Sequence, residues 1–301
     1  MTSPTRSRRN SLTLVSAVAV ALCVCAVPTE AHVAAWGPGM YCRGGNVEGV
    51  DDNNSNAIVQ PLYNLTKSDW WFHAVNDCDK FPPPPGEFLE LPANGEVTLE
   101  IAVNRAFTST CDNPVIGEFP HGRDEFDEIS EEGCITNPNI HTKSEVEATG
   151  TALAISYATT FERVNADNLV VFSVLYHTPW RRLATYQVPN LPACPPAGCY
   201  CAWGWLPDSC GQPDMYMEPF RCKVINPPKS ASVMVGRAKP PVWCEDDQKK
   251  CRMGPKQMIY WNQLDGNNVE VEGLDLDGNP KRPVYNYKMG FMNGAQTDIF
   301  L

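Results

Sequence analysis

Hydrophobic and polar positions alternate from Gly95 to Arg105, with Val97, Leu99, Ile101 and Val103 on one face and Thr98, Glu100, Ala102 and Asn104 on the other. A period of two predicts a half-buried strand. Thr151 to Thr160 repeats the pattern through Leu153, Ile155 and Tyr157, which predicts a second strand of the same kind. Leu169 to Tyr176 is apolar on both faces and predicts a strand lying centrally in a sheet. No long segment carries helical periodicity, so short helices are expected only around Asp69 to Phe72 and Gly290 to Asp298. With 27 prolines and 21 glycines punctuating the rest, the pattern predicts an all-β chain. The expected architecture is an antiparallel β-sandwich of the immunoglobulin or fibronectin-III type, with long disulfide-pinned loops.

The amino terminus follows a different pattern. Arg6, Arg8 and Arg9 precede an apolar run from Leu12 to Val27, and a small residue, Ala31, follows. That order predicts a signal peptide over residues 1–31 and a secreted, extracellular product. Cleavage there makes His32 the new amino terminus, although slippage to Ala34 or Ala35 is an alternative. The apolar run is too short to span a bilayer, and no later stretch reaches about eighteen apolar residues, so no membrane association is expected. Residues 32–301 contain no linker-like tract and no internal repeat, which predicts one domain.

Composition narrows the partners. The chain holds 24 basic and 35 acidic residues; without residues 1–31 it holds 21 and 34, a formal charge of −13. Such a surface repels phosphate backbones and anionic membranes, which excludes nucleic acid as a natural partner and favours neutral ligands. Of 13 cysteines, Cys23 and Cys25 leave with the signal. Eleven remain, at 42, 78, 111, 134, 194, 199, 201, 210, 222, 244 and 251. Outside the cell these read as disulfides with at least one thiol left over, and their spacing does not fix the connectivity. A metal site at Cys199 and Cys201 is the rival reading, disfavoured because thiolates compete with oxidation there. Sequons at Asn53 and Asn64 fit an exported surface.

In a sandwich, polar chemistry gathers in the loops. The candidates are the five histidines, His32, His73, His121, His141 and His177. A terminal His32 brings two nitrogens, the amine and the ring, that can grip one metal. Without further context, His141 is a polar loop residue, and His121, in Phe-Pro-His-Gly, competes with it as a second ligand.

Several longer strings are more specific. They are His-Val-Ala-Ala-Trp-Gly-Pro-Gly-Met-Tyr at 32–41, Pro-Leu-Tyr-Asn-Leu-Thr at 61–66 with Trp-Trp-Phe-His at 70–73, and Pro-Gly-Glu-Phe-Leu-Glu-Leu-Pro at 85–92. To these are added His141-Thr142 ahead of Ala152-Leu-Ala-Ile-Ser-Tyr157, Val-Phe-Ser-Val at 171–174, and Cys-Pro-Pro-Ala-Gly-Cys-Tyr-Cys-Ala-Trp-Gly-Trp at 194–205. Tyr216-Met217 leading to Phe220 and Cys222, and the ending Asn293 to Phe300, complete the set. Together they resemble fungal lytic polysaccharide monooxygenases of auxiliary activity family 14, over essentially all of residues 32–301, with no separate carbohydrate-binding module left over.

That resemblance implies a copper histidine brace. The amine and ring of His32 and the ring of His141 supply three nitrogens in a plane suited to Cu(II), and Tyr216 matches the axial tyrosine. It further implies one copper per chain, an external electron donor, O2 or H2O2 as co-substrate, and oxidative cleavage of plant cell-wall polysaccharide by a monomer. Xylan associated with cellulose is the implied substrate class. His73 matches a structural histidine held by a hydrogen bond, and His177 is either a donor near the copper or a surface residue. The sequence departs from the family at Gly37, where a histidine is frequent, and at Val103, Thr151 and Thr178, near expected cysteines, while Cys42 and Cys78 belong to this chain's own pattern.

Rival classes remain distinct. Hydrolysis needs two carboxylates about the scissile bond, but Asp124, Glu125, Asp127, Glu128, Glu131 and Glu132 read most simply as a solvated loop. Trp36, Trp203 and Trp205 either offer faces to sugars or pack against disulfides. A copper-binding protein without oxygenase activity would use the same His32 and His141, whereas a noncatalytic glycan-binding module would need neither.

Overall fold

The computed structural model describes Met1 and residues 32–208, 210–229 and 234–301. Apart from Met1, the predicted signal peptide lies outside the described residues. No helix among those described is long and apolar enough to cross a membrane.

Eleven strands are formed among these residues: β1 (Ala34–Trp36), β2 (Leu89–Pro92), β3 (Glu96–Ala102), β4 (Glu128–Ile129), β5 (Ile135–Asn137), β6 (Thr151–Ser156), β7 (Val170–Leu175), β8 (Leu183–Gln187), β9 (Cys199–Trp205), β10 (Tyr216–Ile225) and β11 (Gly294–Ala295). They make a three-stranded sheet, β1-β3-β8, a six-stranded sheet, β11-β7-β6-β9-β10-β2, and the small pair β4-β5. All pairings are antiparallel but one: β2 runs parallel to β10, with Leu89 opposite Cys222. The expected all-β sandwich is present, with that single departure from antiparallel order.

One apolar cluster joins the two large sheets, with Trp36, Leu99, Ile101 and Tyr186 from the smaller and Leu153, Phe172, Trp203 and Phe220 from the larger. A second cluster covers the other face of the six-stranded sheet. There Ala152, Ala154, Val171 and Ala202 meet the loop residues Met258, Ile259, Tyr260 and Tyr285. Consequently β6 is buried at every position, where alternation had predicted a half-buried strand. The small residues Ala152 and Ala154 let a loop layer lie flat on that face, a condition that local periodicity does not reveal.

The strand β3 keeps its alternation only in its first half: Val97, Leu99 and Ile101 are buried and Glu96 and Thr98 exposed, but Ala102, on the face expected to lie outside, is buried too. Glu100 is buried as well, because it accepts from Arg182 and from the Ser109 amide. β7 is buried on both faces as its composition predicts, but it lies next to the edge, beside the two-residue β11. Helices are short. α1 (Lys67–Trp70) leads into a 3-10 turn through Asn76, and further 3-10 turns lie at Tyr287–Met289 and Thr297–Ile299.

Five disulfides pin the loops: Cys42–Cys78, Cys134–Cys210, Cys194–Cys199, Cys201–Cys222 and Cys244–Cys251. The odd thiol is Cys111, half-buried. Cys199 and Cys201 thus belong to two different disulfides, and the rival metal site there is not formed. Two of the positions near expected family cysteines face each other, with Thr151 Oγ1 2.7 Å from Thr178 Oγ1. A hydrogen bond thus joins two positions near which the resemblance implies cysteines.

Candidate metal centre

Three separate parts of the chain converge at one end of the sandwich. His32 lies just ahead of β1, whose register on β3 sets Ala34 opposite Ala102 and Trp36 opposite Glu100. His141 follows β5 in a loop that the Ile135 amide ties back by donating to Thr142 O at 2.8 Å. Tyr216 opens β10 and stands opposite Trp205 of β9. The Cys134–Cys210 disulfide joins the loop of His141 to the one that leads into β10.

The rings of His32 and His141 lie 5.3 Å apart, centroid to centroid, at 25°. The ring of Tyr216 is 6.1 Å from that of His32 and stacks on Trp205 at 4.5 Å. All three side chains are buried, and His32 and His141 line a cleft of about 460 Å³ together with Pro61, Tyr63, Glu132, Asn139 and Gln212.

The electrostatics keep His141 ready to ligate. Its Nδ1 lies 2.7 Å from the carbonyl oxygen of Cys210. A carbonyl only accepts, so Nδ1 carries the proton and Nε2 keeps its lone pair. That Nε2 is buried with no hydrogen-bond partner among the described residues. Burial lowers the pKa of His141 to about 4, opposed by the Cys210 bond and reinforced by His32 and Arg282, so the ring is neutral at ordinary pH. Its backbone is left-handed, at φ 47°, a conformation that costs a non-glycine residue about 1–3 kcal/mol and concentrates at functional sites. Gly211 accommodates this ring: a Cβ there would stand 2.9 Å from Nδ1.

Burial, with the negative charges of Asp214 and Glu218, holds the phenol of Tyr216 well above its usual pKa. It is a neutral O–H, buried without a hydrogen-bond partner among the described residues.

The convergence also includes a residue that sequence reading missed. Asp214 is 2 % exposed, and one ligand atom each from His32, His141 and Asp214 lie within 4.8 Å of one another. Asp214 lies two residues ahead of Tyr216, outside β10 and in irregular backbone, so no local periodicity marked it. A nitrogen-rich group with a neutral lone pair aimed inward fits copper in its donor chemistry.

The other candidates are placed elsewhere. His121 is buried with Nε2 3.9 Å from Asp127 and takes no part in this group. His177 is exposed, its Nδ1 3.0 Å from Val146 O, and is a surface histidine. His73 is fully buried; burial lowers its pKa to about 4 against the opposing influence of the Asn76 side chain and the Met217 and Ala57 backbone. Trp36, Trp203 and Trp205 are at most 1 % exposed, which overturns any reading of them as sugar platforms. The six acidic residues from Asp124 to Glu132 are all exposed, as expected of a solvated loop.

Comparison with known proteins bears on the same constellation. The family described as lytic polysaccharide monooxygenase AA14 matches residues 12–301. AA14 family lytic polysaccharide monooxygenase B of Pycnoporus cinnabarinus is 34% identical over 287 residues, 91% of this chain and 71% of that protein. AA14 family lytic polysaccharide monooxygenase A of Trametes coccinea is 33% identical over 308 residues, 98% of this chain and 66% of that protein. The B form of Talaromyces rugulosus is 35% identical over 302 residues, 92% and 96% of the two chains. A match that runs from before the first strand to the last residue, together with paired imidazoles at the end of an all-β sandwich, places this chain in the lytic polysaccharide monooxygenase family AA14, a family of copper-dependent oxidoreductases.

Proposed function

We propose that the chain is secreted, that residues 1–31 are removed, and that residues 32–301 act as one copper monooxygenase domain on plant cell-wall polysaccharide, with xylan associated with cellulose as substrate. His32, by its amine and ring, and His141, by Nε2, hold the copper, and Tyr216 faces it. Bound copper supplies one-electron redox chemistry, taking electrons from an external donor and using O2 or H2O2 to oxidise a C–H bond at a glycosidic linkage.

The remaining tasks fall to the chain itself. The Cys210 carbonyl fixes the tautomer of His141. Burial keeps that ring unprotonated. The cleft rim, with Tyr63 39 % exposed beside Pro61 and Gln212, receives the polysaccharide, and the acidic surface tolerates a neutral glycan.

The observation that carries this reading is the stacked pair His32 and His141, 109 residues apart in sequence and 5.3 Å apart in space. The test has two parts. Copper titration of protein that begins at position 32 should show tight binding that His141→Ala abolishes. Incubation with copper, reductant and xylan-coated cellulose should yield oxidised oligosaccharides by mass spectrometry. Copper binding without such products would favour a noncatalytic copper protein, and secreted material beginning at another residue would overturn the brace.

A further inference from the structure

The two imidazoles share their cleft with a carboxylate. Oδ2 of Asp214 is 4.0 Å from Nε2 of His141, and Asp214 completes the three-residue group with His32. The segment that carries it is fixed on both sides. Cys210 is bonded to Cys134, and Met215 exchanges two backbone hydrogen bonds with Leu62, at 2.9 and 3.0 Å. The Asp214 amide itself donates to Gln212 O at 2.9 Å. A side chain anchored in this way, at 2 % exposure, has a definite direction toward the imidazoles.

We propose that Asp214 is the carboxylate partner of the copper in this chain and biases the site toward Cu(II) over Cu(I). The inference rests on the histidine pair being the copper site. Attraction between a fixed negative group and an ion scales with the charge of the ion, so a carboxylate stabilises the divalent form more than the monovalent one. Oxygen is also the harder donor, and Cu(I) favours softer ligands. In the other direction, a divalent ion among these atoms offsets the cost of burying a carboxylate. Asp214 is therefore a tuning residue, setting affinity and the ease of reduction while the histidines supply the grip.

The test compares wild type, Asp214→Asn and Asp214→Glu, each beginning at His32, by competition titration with Cu(II) and, without oxygen, with Cu(I). Electron paramagnetic resonance of the Cu(II) forms provides an independent readout. Asp214→Asn should weaken Cu(II) binding by roughly 10–100-fold, leave Cu(I) binding nearly unchanged and shift the Cu(II) spectrum. Asp214→Glu should restore most of the Cu(II) affinity. An unchanged Cu(II) affinity and spectrum in Asp214→Asn, or an equal loss for both oxidation states, would overturn the proposal, the second result marking a merely structural role. Failure of wild type to bind copper, or tight binding by His141→Ala, overturns the histidine reading and Asp214 with it. A normal His141→Ala result beside an unaffected Asp214→Asn overturns Asp214 alone.

Discussion

Glu218 accepts a hydrogen bond from the amide of Ala35 at 2.9 Å, across 183 residues of sequence. Ala35 lies in β1, three residues from His32, and Glu218 lies in β10, two residues from Tyr216. β1 is an edge strand paired only with β3, so this carboxyl group ties the free edge of the amino-terminal strand to the opposite sheet. Burial pushes the pKa of Glu218 well up, and the bond from the Ala35 amide opposes that shift. Glutamine keeps the acceptor and the shape. Glu218→Gln is therefore expected to bind copper nearly as wild type does, whereas Glu218→Ala leaves a buried amide unpaired and costs about 1–3 kcal/mol, with weaker copper binding because β1 is no longer held. Chemical denaturation and copper titration of the two variants check the pair.

The Cys134–Cys210 disulfide closes a sequence separation of 76 and positions the carbonyl that orients His141. Replacing both cysteines with serine should cost about 2–5 kcal/mol. Copper affinity should fall as well, by roughly 10–100-fold, because the second-sphere acceptor is loosened. Titration well below the melting temperature separates the two effects. Copper affinity equal to wild type would show that the loop holds His141 without the bridge.

Gly211 carries φ 81° and stands where a Cβ would come within 2.9 Å of Nδ1 of His141. Alanine there meets both a left-handed backbone and the imidazole. Gly211→Ala should lower stability by about 1–2 kcal/mol and weaken copper binding by displacing the ring. A thermal melt and a copper titration on the same preparation provide the measurement.

His73 sets a pH dependence of its own, apart from the group of His32, His141 and Asp214. Its pKa is about 4 in the folded chain, down from 6.5, with burial as the main cause. Between those values the unfolded chain binds a proton that the folded chain does not, so this contribution is fully present above pH 6.5, declines as pH falls and levels off below about 4. The loss amounts to about 3 kcal/mol over that window. His73→Asn, with a residue that tolerates the left-handed φ of 60°, should show a flatter stability profile from pH 7 to pH 4 than wild type, measured by denaturant unfolding at each pH. Parallel profiles would place the acid sensitivity elsewhere.

Much of this molecule was legible in one dimension. Alternation at Val97, Leu99 and Ile101 marks a strand because a pleated backbone turns successive side chains to opposite faces, and that geometry is local. The continuous apolar run of β7 likewise announces burial on both faces, and the odd number of cysteines after position 31 announces a lone thiol. The pairing of His32 with His141 was legible only through resemblance, since neither residue has local context that points to the other.

Tertiary structure alone decided the rest. The second buried face of β6 depends on a loop layer from Met258 to Tyr285, and no property of Thr151–Ser156 encodes what will lie on top of it. The identity of the lone thiol, Cys111, follows from which loops meet. Asp214 becomes part of the centre only because one disulfide and two backbone bonds to Leu62 carry it there. A short-range code fixes the character of each element, whereas the neighbours of a side chain are set by long-range packing, and the chemistry of this cleft lies in those neighbours.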